Sequence, residues 1–117
     1  MLVIRQAQMA MFDELELQKF IQNTRVYIAE VWGDISAKYS PEQVDQLINQ
    51  AIMRCREMGA ELEQDALIYI DHLFILGLDF EQNSDYTWAA EILNDTSIDG
   101  SARLEMLEQA AAANTQA

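Results

Sequence analysis

Apolar side chains recur at three- and four-residue steps along most of this 117-residue chain, and that spacing restricts it to packed amphipathic helices. Leu17, Phe20, Ile21, Thr24, Tyr27, Ile28, Val31, Trp32 and Ile35 form one broad stripe over about Glu14 to Lys38. Gly33 costs about 1 kcal/mol inside that helix and predicts a bend or an early end there. Val44, Leu47, Ile48, Ala51, Ile52, Cys55 and Met58 form a second stripe with well-marked ends. Ser40 is the N-cap, Pro41 stands at the first helical position, Gln43 completes a capping box, and Gly59 supplies the stop. Leu62, Ala66, Leu67, Ile70, Leu73, Phe74 and Gly77 mark a third seam, over about Glu63 to Leu76. Tyr69, Ile68 and Ile75 widen it, which predicts a central helix covered on more than one side. One proline and four glycines are too few turn residues for an all-β fold.

The remaining segments are shorter. Residues 1–12 read as a short helix or an arm, followed by Asp13 as a candidate cap. Leu78 to Ser84 reads as a loop. A short helix over about Asp85 to Leu93 points Trp88, Ala89, Ile92 and Leu93 inward. A last helix covers about Ala102 to Ala112, with Asp99 or Ser101 as cap and Leu104, Leu107 and Ala111 on one side. Residues 113–117 are expected to fray. The fold class is therefore all-α, a compact single-domain bundle of five or six helices.

The net charge is −13, from 20 acids and seven Lys and Arg. Such a field disfavours nucleic acid and anionic membrane surfaces and favours a basic protein partner. The charge is uneven. Residues 1–59 hold eight acids and six bases; residues 60–117 hold twelve acids and one base, Arg103. With a single cysteine, Cys55, no internal disulfide is possible, which fits a reducing cytoplasm. No secretory signal is visible, and the apolar run Leu73 to Leu78 is too short to span a bilayer.

Candidate chemistry is sparse. His72 is the only histidine; it adjoins Asp71, but successive helical residues point about 100° apart, and a surface or half-buried structural histidine is expected. Asp79, Glu81, Asn83 and Asp85 alternate like the start of an EF-hand loop. Counted from Asp79, however, position six is Ser84 in place of glycine and position twelve is Ala90 in place of a bidentate glutamate. Cys55 sits on an apolar face and reads as a core residue. No nucleophile elbow, phosphate loop or Cys-x-x-Cys pair occurs. No enzyme activity, cofactor or metal is expected. The surface singled out for a protein partner is Asp79, Phe80, Glu81, Asp85, Tyr86 and Trp88, acids flanked by aromatics that would serve as anchors. Reversal of Glu81 and Asp85 to lysine is expected to slow association there.

Three stretches carry a resemblance: Met1 to Met9 (MLVIRQAQM), Tyr69 to Phe80 (YIDHLFILGLDF) and Trp88 to Asp95 (WAAEILND). On these the chain resembles a group of small helical bacterial proteins encoded beside type VI secretion spike, tip and effector genes. Glu61 departs from it, standing where a Ser or Thr cap would be more usual. The resemblance implies a cytoplasmic accessory role, either an adaptor or chaperone that loads an effector or an immunity protein that blocks a toxin. A small homo-oligomeric assembly component is the structural alternative.

Overall fold

The computed structural model describes residues 14–115, and among them there are six α-helices, one 3-10 turn and no strand. Residues 1–12, read as an arm or short helix, Asp13, read as a cap, and residues 116–117 of the expected frayed tail lie outside the described residues. Helix α1 spans Glu14–Val31 and buries Phe20, Thr24 and Ile28. It ends where Trp32 leaves helical geometry (φ −117°, ψ 28°), and α2 (Gly33–Ser36) is a single turn after the break. The break falls where Gly33 predicts it.

Helix α3 (Pro41–Met58) begins and ends as its sequence dictates. Ser40 Oγ accepts from the Gln43 amide at 3.1 Å, and Gln43 Oε1 accepts from the Ser40 amide at 2.8 Å. At the other end Gly59 takes a left-handed conformation (φ 77°), and the Ala60 amide donates to the Cys55 carbonyl at 2.9 Å. These bonds use groups that a helix end leaves without partners. Leu47, Ile48, Ala51, Ile52, Cys55 and Met58 are buried along one face.

Helix α4 (Glu63–Leu76) is the central element. Asp65, Ala66, Tyr69, Ile70, His72, Leu73, Phe74 and Leu76 are all buried, so it is covered on more than one side. It packs against α3 and against α6 (Gly100–Thr115). Its N-cap is Leu62, which has no capping side chain; the Asp65 carboxylate accepts from the Leu62 amide at 3.4 Å instead. The next segment turns back at Gly77 and leads through a 3-10 turn (Ser84–Tyr86) into α5 (Thr87–Leu93), which lies on α6. The molecule measures 41 × 37 × 20 Å, about two helix layers thick.

Two expectations are corrected and one alternative is decided. Residues 113–115, expected to fray, continue α6, because the alanine-rich run is strongly helix-forming. Asp99 is the cap of α6: its carboxylate accepts from the Ser101 amide at 3.2 Å, and its carbonyl takes the Arg103 amide at 2.9 Å. Asp99 therefore prevails over Ser101, whose hydroxyl instead donates to the buried Asp65 carboxylate at 2.6 Å. His72 is buried, at 3% exposure, and not on the surface.

Candidate functional site

The loop between α4 and α5 separates the six residues singled out above. Asp79 and Asp85 face solvent, whereas Phe80 is fully buried and packs its ring 5.5 Å from that of Tyr69. Phe80 therefore belongs to the core and is no anchor for a partner. It seals the end of the bundle where the chain reverses after Gly77. Tyr86 and Trp88 are half-buried and meet edge to face with centroids 6.2 Å apart, so each keeps part of its ring at the surface. Asn83 Oδ1 accepts from the Asp85 amide at 2.9 Å and starts the 3-10 turn that sets this pair. The alternating acids are thus an alternation of inward and outward positions. They do not converge, and among the described residues no group of three His, Cys, Asp or Glu side chains is placed to hold a metal.

Glu81 is the inward member. The Arg54 guanidinium from α3 grips its carboxylate through Nε at 3.1–3.2 Å and Nη2 at 2.9 Å, and the Tyr69 hydroxyl donates to its Oε2. Nη2 also reaches Asn94 Oδ1 at 3.0 Å, and Nη1 reaches Glu57 at 3.3 Å. Only 11% of the Glu81 side chain is exposed, too little for a solvent-borne docking charge. Its role as a surface contact is corrected to that of an internal fastener joining α3, α4 and the loop. Burial, and then the carboxylate beside it, push the Tyr69 hydroxyl far above the ordinary phenol range. This network floors an open groove of about 720 Å³ whose walls include Gln46, Asn49, Gln50, Met53 and Leu78. Both carboxylate oxygens of Glu81 are engaged, so the floor of the groove is rigid.

The other reactive groups are similarly occupied. Burial pushes the Cys55 thiol up to about 12, with Asp65 adding to the effect, so it is protonated at neutral pH and a poor nucleophile. His72 Nδ1 lies 2.7 Å from the Ile68 carbonyl oxygen, one turn back on the same helix. Asp71 turns away from His72: it accepts from the Tyr27 hydroxyl at 2.8 and 3.0 Å and from the Trp32 indole at 2.9 Å. Arg103, the single base of the second half, is buried and donates to the carbonyls of Leu93 at 2.9 Å and Ile98 at 2.7 Å. It closes the C-terminal end of α5, so the one base of residues 60–117 is spent on backbone carbonyls inside the fold.

Arg54, Tyr69 and Asn94 escape a sequence reading. Arg54 borders the buried stripe of α3, an odd place for an unpaired cation, and that is the one local signal. Its partner lies 27 residues away, and no periodicity links them. Comparison with protein-family models, with curated proteins and with solved structures finds no match.

Proposed function

We propose that this chain is a non-catalytic accessory protein that docks a basic partner protein through the exposed carboxylates of its second half. In the setting that the resemblance to type VI secretion neighbours implies, it is a cytoplasmic adaptor or chaperone for an effector. One observation carries the reading. Eight of the twelve acids in residues 60–117 are exposed (Glu63, Asp79, Asp85, Glu91, Asp95, Asp99, Glu105 and Glu108), and the only base of that half is buried. A surface of one sign accelerates encounter with a partner of the other sign. The half-buried Tyr86 and Trp88 add apolar contact area beside Asp85.

The test is a pull-down of the tagged chain from its native cells, with mass spectrometry of what accompanies it. Recovery of a spike or tip protein together with an effector supports the adaptor role. A single toxin in a one-to-one complex replaces that role with immunity, and recovery of the chain alone removes the docking role and leaves only the helical bundle. The charge variant to use is Asp79→Lys with Asp85→Lys, since both side chains are exposed. Glu81→Lys is unsuitable, because it would set a cation against Arg54. The double reversal is expected to slow association about tenfold at low salt and to flatten the salt dependence, measured by surface plasmon resonance on the recovered partner.

A further inference from the structure

A second cavity lies away from that loop, between the end of α1, the middle of α4 and the last turns of α6. Its volume is about 250 Å³, and its lining includes Tyr27, Trp32, Asp71, His72 and Glu108. That is below the range of drug-sized ligand sites and suits a single side chain. Among the described residues the lining holds two carboxylates and no Lys or Arg. Asp71 is immobilised by the Tyr27 hydroxyl and the Trp32 indole, both neutral donors, so its negative charge is positioned but not neutralised. Glu108 is exposed at the rim.

His72 supplies a separate observation. It is 97% buried, by its 3% exposure, and its Nδ1 is spent on the Ile68 carbonyl, which makes Nδ1 the protonated nitrogen. In the neutral ring Nε2 is then an acceptor, and no donor to it is found among the described residues. The side chain lines the cavity. Among the described residues the cavity thus presents the carboxylates of Asp71 and Glu108, the His72 ring, two aromatic rings and no Lys or Arg. Val31 and Ile75, 52% and 45% exposed, give the recess an apolar rim.

We propose that this cavity takes the basic side chain, Lys or Arg, of a partner protein segment that carries apolar residues beside it. The cationic head meets Asp71, Glu108 and Nε2 of His72, the rings of Tyr27 and Trp32 flank it, and the neighbouring apolar residues cover Val31 and Ile75. Charge complementarity selects a cation, and the apolar rim selects a protein segment over a free amine. The inference rests on the protein-docking reading only in taking the partner to be a protein.

The test is an NMR titration of the full chain with butylammonium, butylguanidinium and the neutral, similarly shaped butylurea, followed by an acetylated Leu-Arg-Leu amide. The two cations are expected to shift the Trp32 indole N–H and the Ala111 and Ala112 amides saturably, and butylurea is not. Glu108→Gln, at an exposed position, should weaken the cations about two- to fivefold. The tripeptide should bind about tenfold more tightly than butylguanidinium and lose that gain in Ile75→Ser. Equal shifts with butylurea, shifts confined to other residues, or indifference to Glu108→Gln overturns the site. A tripeptide no tighter than butylguanidinium overturns the protein segment and leaves a site for small amines. The probes report on the cavity alone, so their failure leaves the docking role of the acidic half standing, while an empty pull-down removes that role and not the cavity.

Discussion

At Gly100 a hydrogen atom is all that the packing leaves room for. A Cβ there would lie 2.3 Å from the Met58 carbonyl oxygen and 3.1 Å from the Ala60 amide nitrogen, so the start of α6 sits directly on the end of α3. Backbone cannot yield as a flexible side chain would, and Gly100→Ala should cost about 1–3 kcal/mol by forcing the helices apart. Urea denaturation with an unchanged slope and a lower midpoint is the expected result; an unchanged midpoint would mean that the contact gives way freely. The sequence reading assigns Gly100 no role. Its true constraint comes from a residue 42 positions earlier, and nothing local encodes that. The same holds for Glu81, which reads as one more acid in an acidic loop until Arg54 and Tyr69 are placed around it. Tyr69→Phe removes one donor from that carboxylate and should destabilise by about 1–3 kcal/mol, again by urea denaturation. Cys55 was legible, because its place in the α3 stripe already assigns it to the core, where it is fully buried.

Elements were more legible than residues, and the reason is that helix ends are written locally. Ser40, Pro41, Gln43 and Gly59 bound α3 within a residue of where the chain places it, since each acts on backbone groups no more than a turn away. Ser40→Ala should therefore cost about 1 kcal/mol and act at one end only. Hydrogen exchange should quicken at the amides of Glu42 to Val44, while the Cys55 and Met58 amides change only with global stability. Uniform acceleration along α3 would show that the cap does not act locally. Helix α6 was underestimated for a related reason. Residues 110–113 are all alanine, the best helix former, and Asn114 Nδ2 donates to the Ala110 carbonyl at 2.7 Å, which serves the last turn. Polarity suggested fraying where propensity favoured continuation. The candidate docking set mixed both outcomes: Asp79 and Asp85 point outward as expected, and Phe80 and Glu81 turn inward because a reversing loop must bury something beneath itself.

At the scale of the whole molecule, negative charge crowds the exterior while several ionisable groups are held neutral inside, and the two together predict alkaline sensitivity. The Cys55 thiol ordinarily titrates near 9.0 and is pushed up to about 12 by burial. Tyr27, about 12, and Tyr69, higher still, are raised from 10.0, chiefly by burial and then by the carboxylates they donate to. A raised folded value means that the unfolded chain releases its proton first. The stabilisation is complete below the unfolded value and is lost progressively as pH climbs toward the folded one. Stability should thus be level from pH 7 to about 8.5 and then fall, with Cys55 alone removing about 1.4 kcal/mol at pH 10, one unit past its ordinary value. Repulsion among the exposed carboxylates also opposes the folded state, but it differs in two respects: those groups are already ionised at pH 7, and salt screens them. Urea midpoints measured from pH 7 to 11 at low and high salt separate the effects. High salt should raise the whole curve and leave its descent above pH 9 in place. Cys55→Ala should lower the curve by opening a small cavity yet make its descent between pH 9 and 10 shallower. A descent that salt abolishes would place the alkaline loss at the surface, and one that Cys55→Ala leaves equally steep would remove the buried thiol as its source and leave the two tyrosines.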